Sequence, residues 1–323
     1  MPTTYGSQSN VQAAEIAFSI YTSVDAELKN VRYPDHDWRK VVSAEQTISS
    51  INVGAQSWGA IVRDRQGTAA FQANIKGNNI PMVATSAGAI TLPLQASAIG
   101  AMMTNEDARQ YSMGFQGNLA EDLGGAMRQG CENLIEQTVF FGQEDIGFRG
   151  FLSYTGVSSG SAAATGTGNA TYWSTKTGAQ MVADVNTALS TVWQNSRSIF
   201  MPNKVCLPLS QFTLLATTPM AIGSAVTTQS ALEYLKMNNI CTQVTGKALE
   251  IVPIRYLAGA GAAGKDRMVV LDQDRRNQVL PFLMPYMLNQ PVPVPLGAQF
   301  YAEQKFGSYG VLQLGSMYYV DGI

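Results

Sequence analysis

Residues 105–141, NEDARQYSMGFQGNLAEDLGGAMRQGCENLIEQTVFF, decide how the rest of the chain must be arranged. Met113, Leu119, Leu123, Met127, Cys131, Leu134, Ile135 and Val139 recur at threes and fours, the spacing that gathers apolar side chains on one helical face. Thr104 with Asp107 gives a capping-box-like start, and Gly142 is a natural stop. The spacing predicts one helix over 105–141. At about 1.5 Å per residue it is about 55 Å long, more than the width of a small domain. Gly114, Gly117, Gly124, Gly125 and Gly130 lie within it, each costing about 1 kcal/mol relative to Ala in an exposed helix. Such a helix needs packing along its length, or the close approach of another backbone.

Upstream, residues 56–95 read as a long two-stranded excursion. Trp58, Ala60 and Val62 share a strand face, Gly67 is a break, and a second extended run covers Ala69–Ile75. Lys76, Gly77, Asn78 and Asn79 form a polar turn, and Pro81 begins the return. The segment is too polar for a buried strand pair, and an isolated two-stranded ribbon is marginal in water, so it is expected to lie on another surface. Further upstream, 9–30 reads as an amphipathic helix with Ser9 and Gln12 at its start and a stripe that includes Ile16, Ile20 and Val24. That stripe also needs a surface elsewhere or on a neighbouring subunit.

Downstream, the Gly/Ser/Ala/Thr-rich stretch 156–179 around Trp173 reads as a flexible loop. A compact α/β segment follows: helix 179–195, strand 204–208, helix 209–216, helix 230–238, then strands 249–256 and 267–272 joined by a Gly/Ala loop. Pro281, Pro285, Pro291, Pro293 and Pro295 force an extended crossing. The end, 299–320, alternates like a hairpin turning at Gly307–Gly310. Strands and helices in this order give an α+β class.

The whole chain of 323 residues is long enough for about two domains. Charged residues make up 14% and the net charge is −2, so no strong attraction to nucleic acid or an anionic membrane follows. So little surface charge suggests cover by partners. With one histidine, His36, any site with two His ligands is excluded. Cys131, Cys206 and Cys241 are far apart, which speaks for free thiols and against a zinc ribbon or a disulfide framework. The first basic residue is Lys29, so no basic signal-peptide region is expected. Gly77–Asn105 is uncharged, but Pro81, Pro93 and its polar residues speak against a membrane span.

Several motifs invite chemistry and are better read as structure. Gly259, Gly261 and Gly264 fit GxGxxG, and Gly259–Lys265 fits GxxxxGK. Both need a helix straight after the loop, whereas RMVVL at 267–271 reads as a strand. A nucleotide-binding enzyme using loop 259–265 is therefore a remote alternative. Asp35, His36 and Asp37 are expected in a solvated turn rather than around a metal. Asp272, Asp274, Arg275 and Arg276 are expected as a surface salt-bridge cluster. The Asn169–Thr171 sequon carries no weight without secretion, and Met102 and Met103 are expected to fill gaps in the core. No nucleophile, base and oxyanion site assembles, so no catalytic residue, cofactor or metal is expected.

The order of elements resembles the major capsid proteins of tailed phages, the Hong Kong 97-type fold, over about residues 55–323. Four stretches carry the resemblance: Gly67–Pro81 with its NNIP step and strand 82–94; helix 105–141 with GFRGFLS at 147–153; PNKVCLPLSQFTLLA at 202–216 with SALEYLKMNN at 230–239; and RMVVLDQD at 267–274, the Pro-rich crossing and QKFGSYGVLQLGSMYYVDGI at 304–323. It implies an N-terminal arm (1–55), an extended loop (56–95), a peripheral domain (96–177 and 296–323) built on the spine helix, and an axial domain (178–295). The ribbon would lie on a neighbouring subunit through Trp58, Arg63, Arg65, Phe71 and Lys76, and the arm through Ile16, Ile20 and Val24. The implied partners are further copies in hexamers and pentamers, a separate scaffolding protein, a portal and cement proteins. Packaged DNA would be contacted weakly, and no membrane is involved. The implied location is the virion, after assembly in the host bacterial cytoplasm. A covalent cross-link through Lys76 is not expected, because 290–323 has no Asn and Glu303 as its sole Glu. An encapsulin-like compartment shell is the alternative.

Overall fold

Asn118 is where the long helical run breaks. In a computed structural model, which describes residues 33–66, 83–115, 118–222 and 225–323, helix α1 (Trp38–Val41) and strands β1 (Thr47–Ile48), β2 (Ser57–Gln66) and β3 (Ala84–Thr104) precede two helices, α2 (Asn105–Phe115) and α3 (Leu119–Phe141). The single helix expected over 105–141 is thus two. Asn118 has extended backbone angles, and its side chain accepts from Ala120 N, starting α3 afresh. The other expected ends hold. Thr104 N donates to Asp107 Oδ2 and Asp107 N to Thr104 Oγ1, both at 3.1 Å. Gly142 ends α3 at φ +72°. Of Gly124, Gly125 and Gly130, Gly130 is the one pressed against a strand: a Cβ there would sit 2.8 Å from Ile99 Cδ1. The expected helix 9–30 lies outside the described residues.

Strands β4 (Gly142–Gln143) and β5 (Phe148–Arg149) form a small pair after α3, and β6 (Ser158–Ser161) leads to helix α4 (Gly178–Asn195). Then come β7 (Lys204–Leu207), α5 (Leu209–Thr217), the pair β8 (Pro219–Ile222) and β9 (Ala225–Ser230), α6 (Ala231–Met237), α7 (Ile240–Thr245), β10 (Glu250–Pro253) and β11 (Arg267–Leu271). The chain closes with β12 (Gln278–Leu288), β13 (Val292–Val294), β14 (Gly297–Gly307), β15 (Gly310–Val311) and β16 (Met317–Asp321).

These strands make two large sheets among the described residues. One runs β1-β12-β14-β3-β2, with β13 on β14 and β15 on β12; the other runs β10-β7-β11-β16-β6. The hairpin expected over 299–320 is not formed. β16 pairs with β11 and β6, whereas β14 pairs with β3 and β12 and β15 pairs with β12, so the chain changes sheets only over residues 312–316, after the turn at Gly307–Gly310. Close approach dictates glycine there, since a Cβ on Gly310 would meet Leu92 Cδ1 at 2.3 Å.

The central strands β7 and β11 of the five-stranded sheet are buried on both faces, which is why each reads as an apolar run after its first, charged residue. Val205, Leu207, Met268 and Val270 face a core shared with α4, α5, α6 and α7. Cys206, Val269 and Leu271 face a second core with Ile135, Val139 and Phe140 of α3 and with Phe151. Stretch 156–179 is not a flexible loop. Trp173 within it is fully buried, and its Nε1 donates to Asp184 Oδ2 at 2.9 Å. Lys176 Nζ reaches the same oxygen at 2.6 Å. Low complexity in the sequence concealed one aromatic anchor. Met102 is exposed, not in the core.

The turn after α3 tolerates no side chain: a Cβ on Gly150 would lie 2.4 Å from Phe141 C and 2.5 Å from Phe140 O. Backbone on both sides leaves no flexible group to yield. Gly150→Ala is expected to cost about 1–3 kcal/mol, measured as a lower urea midpoint; an unchanged midpoint would contradict this packing.

Candidate assembly surface

β2 and β3 form an antiparallel ribbon in register from Ser57 opposite Pro93 to Gln66 opposite Ala84. At its root Trp58 is half-buried against the small apolar cluster of Ile48, Leu92 and Val279. Alternation then turns Ile61, Arg63 and Arg65 to one face, all exposed, Ile61 at 71%. The structure therefore separates the expected interface residues: Trp58 belongs partly to its own subunit's packing, and Arg63 and Arg65 point outward. Phe71, Lys76, Ile16, Ile20 and Val24 lie outside the described residues.

The body that carries the ribbon is fixed by a polar latch that sequence reading missed. Of the three residues expected in a solvated turn, Asp35 is exposed, but His36 and Asp37 are drawn into the body. Asp37 is 3% exposed, and so is Glu136 on α3. Asp37 Oδ2 accepts from the backbone N and Nε of Arg255 at 3.1 and 3.0 Å, and Oδ1 accepts from Lys40 Nζ at 2.7 Å. Glu136 Oε1 accepts from Asp37 N at 2.9 Å and Arg255 Nη2 at 3.0 Å, while Oε2 is 2.7 Å from His36 Nδ1. Three distant parts of the chain meet in this cluster. Burial pushes the Asp37 carboxyl up, but the hydrogen bonds from Lys40 and Arg255 outweigh it and hold it below its ordinary value. Burial would lower the Arg255 guanidinium; Asp37 and Glu136 raise it instead. The one available signal was Glu136 itself, a carboxylate on the apolar stripe one residue after Ile135.

A second buried pair closes the glycine loop. Asp321 Oδ1 accepts from Arg267 Nε at 2.6 Å and Oδ2 from Arg267 Nη2 at 2.9 Å. Ala262 N donates to Asp321 Oδ2, and Gly259 N to Asp266 Oδ1, each at 3.0 Å. Protein carboxylates already occupy loop N–H groups that a phosphate would need, and β11, a strand, follows the loop. The strand-connecting reading of 259–265 stands. Burial raises the Asp321 carboxyl, and its bonds to Arg267 and Ala262 more than reverse that. The expected salt-bridge cluster at 272–276 is instead a turn. Asp274 Oδ1 accepts from Arg276 N, and Asp272 Oδ2 from Asn277 Nδ2. No ion pair joins these aspartates to Arg275 or Arg276 among the described residues. Burial pushes the Asp272 carboxyl up. Among the described residues no group of His, Cys, Asp and Glu could hold a metal ion, and no helix is long and apolar enough to cross a membrane.

The family model for major capsid proteins matches residues 67–323. No curated protein matches the sequence. Among solved structures, the capsid of Myoviridae phage XM1 superposes with a TM-score of 0.75 at 13% identity, covering 94% of this chain and 97% of that one. A chain from Gordonia phage Cozz gives 0.57 at 12% identity, covering 99% and 97%. The holo-SrpI encapsulin complex from Synechococcus elongatus PCC 7942 gives 0.55 at 11% identity, covering 95% of each chain. At these identities the likeness is one of fold.

The latch has a defined acid response. The folded-state pKa values of Asp37 and Asp321 lie below their unfolded values, so their contribution is complete above about pH 4 and is lost as pH falls through the folded values. Asp272, shifted upward, acts with the opposite sign. Urea midpoints are expected to fall below about pH 4; a flat profile from neutrality into that range would contradict the latch. Arg255→Met leaves two buried carboxylates short of their cation and is expected to cost about 3–5 kcal/mol at pH 7.

Proposed function

This chain belongs to the major capsid protein family, and we propose from that premise that many copies of it close into the icosahedral head shell around the double-stranded DNA of a tailed phage. The observation that carries the reading is the ribbon. β2 and the first half of β3 leave their sheet as two strands with exposed side chains, a form that is marginal in water unless it lies on another surface. Heterologous contacts that close by symmetry turn such an arm into a shell.

In this reading 1–55 is the arm, 56–95 the extended loop, 96–177 with 296–323 the peripheral domain, and 178–295 the axial domain. Four strands cross that division: β12 and β13 sit in the sheet of β14 and β3, and β6 and β16 in the sheet of β7 and β11. Copies gather as hexamers and pentamers, assisted by a separate scaffolding protein, a portal and cement proteins, in the bacterial cytoplasm before becoming part of the virion. The role is structural, without catalysis. The net charge of −2 fits weak, non-specific contact with DNA. The encapsulin likeness supports a compartment shell as the second reading; the contents of the particle separate the two.

Sedimentation velocity of the full chain, with candidate scaffold added if needed, is the test. A closed icosahedral shell has at least sixty copies, hence about 2 MDa. Particles of that size holding nucleic acid are expected, and an enclosed enzyme instead would favour the compartment. Persistent monomer with every head protein present would sink the shell reading. Arg63→Ala is expected to reduce assembly with no loss of thermal stability. Trp58→Ala is expected to lower stability as well, by about 1–2 kcal/mol, because Trp58 is partly buried against Ile48, Leu92 and Val279 of its own subunit.

A further inference from the structure

Gly130 lets α3 lie directly on β3 at Ile99. Toward Pro93 a hollow of about 220 Å³ opens between the two elements, with Gln95, Ser97, Leu134, Ile146, Phe148 and Phe306 in its lining. Ser97 lies opposite Gln304 of β14, whose Nε2 donates to Cys131 O on α3 at 3.1 Å. Residues directly opposite in an antiparallel pair share a face, so the Ser97 side chain is on the helix side of the sheet. Its Oγ is buried with no hydrogen-bond partner among the described residues. Deeper in, Phe148 and Phe306 are each 3% exposed and meet edge to face with ring centroids 6.1 Å apart.

Water suits this space poorly. At about 30 Å³ apiece, about seven waters would fill it, and a buried water makes about three hydrogen bonds. The side chains of Leu134, Ile146, Phe148 and Phe306 offer none. Thr138 Oγ1, also in the lining, already donates to Leu134 O at 2.7 Å. Ser97 Oγ is thus a lone polar point on an apolar wall, with both a donor and an acceptor to give. An apolar cavity of about 150 Å³ holds benzene, so one substituted ring fits here. Aromatic walls favour a flat ring over an aliphatic one, because ring pairs gain from their offset and edge-on geometries. The exposed Gln95 and Gln143 put the mouth of the hollow at the surface.

We propose that this hollow is a binding site for a small phenol, its ring against Phe148 and Phe306 and its hydroxyl exchanging a hydrogen bond with Ser97 Oγ. The ligand would sit between α3 and the stretch of β3 just past Pro93, where the ribbon joins the body. It would brace that junction by filling space that the chain's own side chains leave open. The inference concerns a single subunit and does not depend on the shell reading.

The test is saturation-transfer NMR on the full-length protein with phenol as the probe. A ligand of about seven non-hydrogen atoms is expected to bind in the millimolar range. Benzene lacks the hydroxyl and cyclohexanol lacks the aromatic ring, and each is expected to bind about three- to tenfold more weakly. Ser97→Ala is expected to erase the preference for phenol over benzene. Leu134→Trp fills the hollow and is expected to abolish binding of all three probes, with circular dichroism and melting temperature as folding controls. If Leu134→Trp fails to fold, the Ser97→Ala comparison decides. A wild type that gives no phenol signal in the millimolar range would overturn the site. So would an undiminished preference for phenol in Ser97→Ala, or a folded Leu134→Trp that binds phenol as well as the wild type does.

Discussion

One strand that changes partners holds the two roles of this chain together. β3 spends its first half in the ribbon with β2 and its second half in the body with β14. The change falls at Pro93, which has no N–H to offer on the β14 side, so one ladder ends and the other begins without leaving a donor stranded. A rigid, continuous strand of 21 residues then transmits the orientation of the body to the arm. Twist or slippage in the body sheet would swing the ribbon through a long lever, which gives the packing behind β3 its importance. Gly130 lets α3 lie directly on Ile99, and the cores on either side of β7 and β11 hold α3 in turn.

Buried charge serves that rigidity at some expense in desolvation. The Asp37, Glu136 and Arg255 cluster and the Arg267–Asp321 pair each join segments far apart in sequence, and each carboxylate has several donors. Replacing such clusters by apolar residues can leave stability unchanged or better, whereas breaking them is costly. Their use is therefore positional. The latch sets where the chain enters the body after residue 33, and the Arg267 pair sets the glycine loop against the last strand.

The elements with strong local signals were legible in the sequence. Helices α4, α5 and α6 and strands β7, β10 and β11 sit where periodicity and caps placed them, and Thr104, Asp107 and Gly142 act as their residue types indicate. The order of elements carried the fold class, because no short motif did. What failed was decided by long-range pairing or by single residues. Asn118 breaks a helix whose apolar stripe continues past it. The alternation of 299–320 is that of two strands in different sheets, and alternation says nothing about partners. Trp173 and Asp184 order a stretch whose composition reads as disorder. At the candidate surface, Arg63 and Arg65 were found as exposed ribbon residues, whereas the latch was invisible because its members lie about a hundred or more positions apart.

All three cysteines are buried, and burial pushes the Cys206 thiol up to about 12 and the Cys131 thiol upward as well. The thiolate is the reactive species, so near neutral pH Cys131 and Cys206 are poor nucleophiles, and all three native thiols are buried away from reagents. The folded body is in effect silent toward maleimides and similar reagents. A single cysteine introduced at an exposed position would be the one labelled site per subunit, repeated over the shell with its symmetry. That makes the protein a scaffold on which dyes, probes or ligands can be set at chosen spacings without first removing any native side chain.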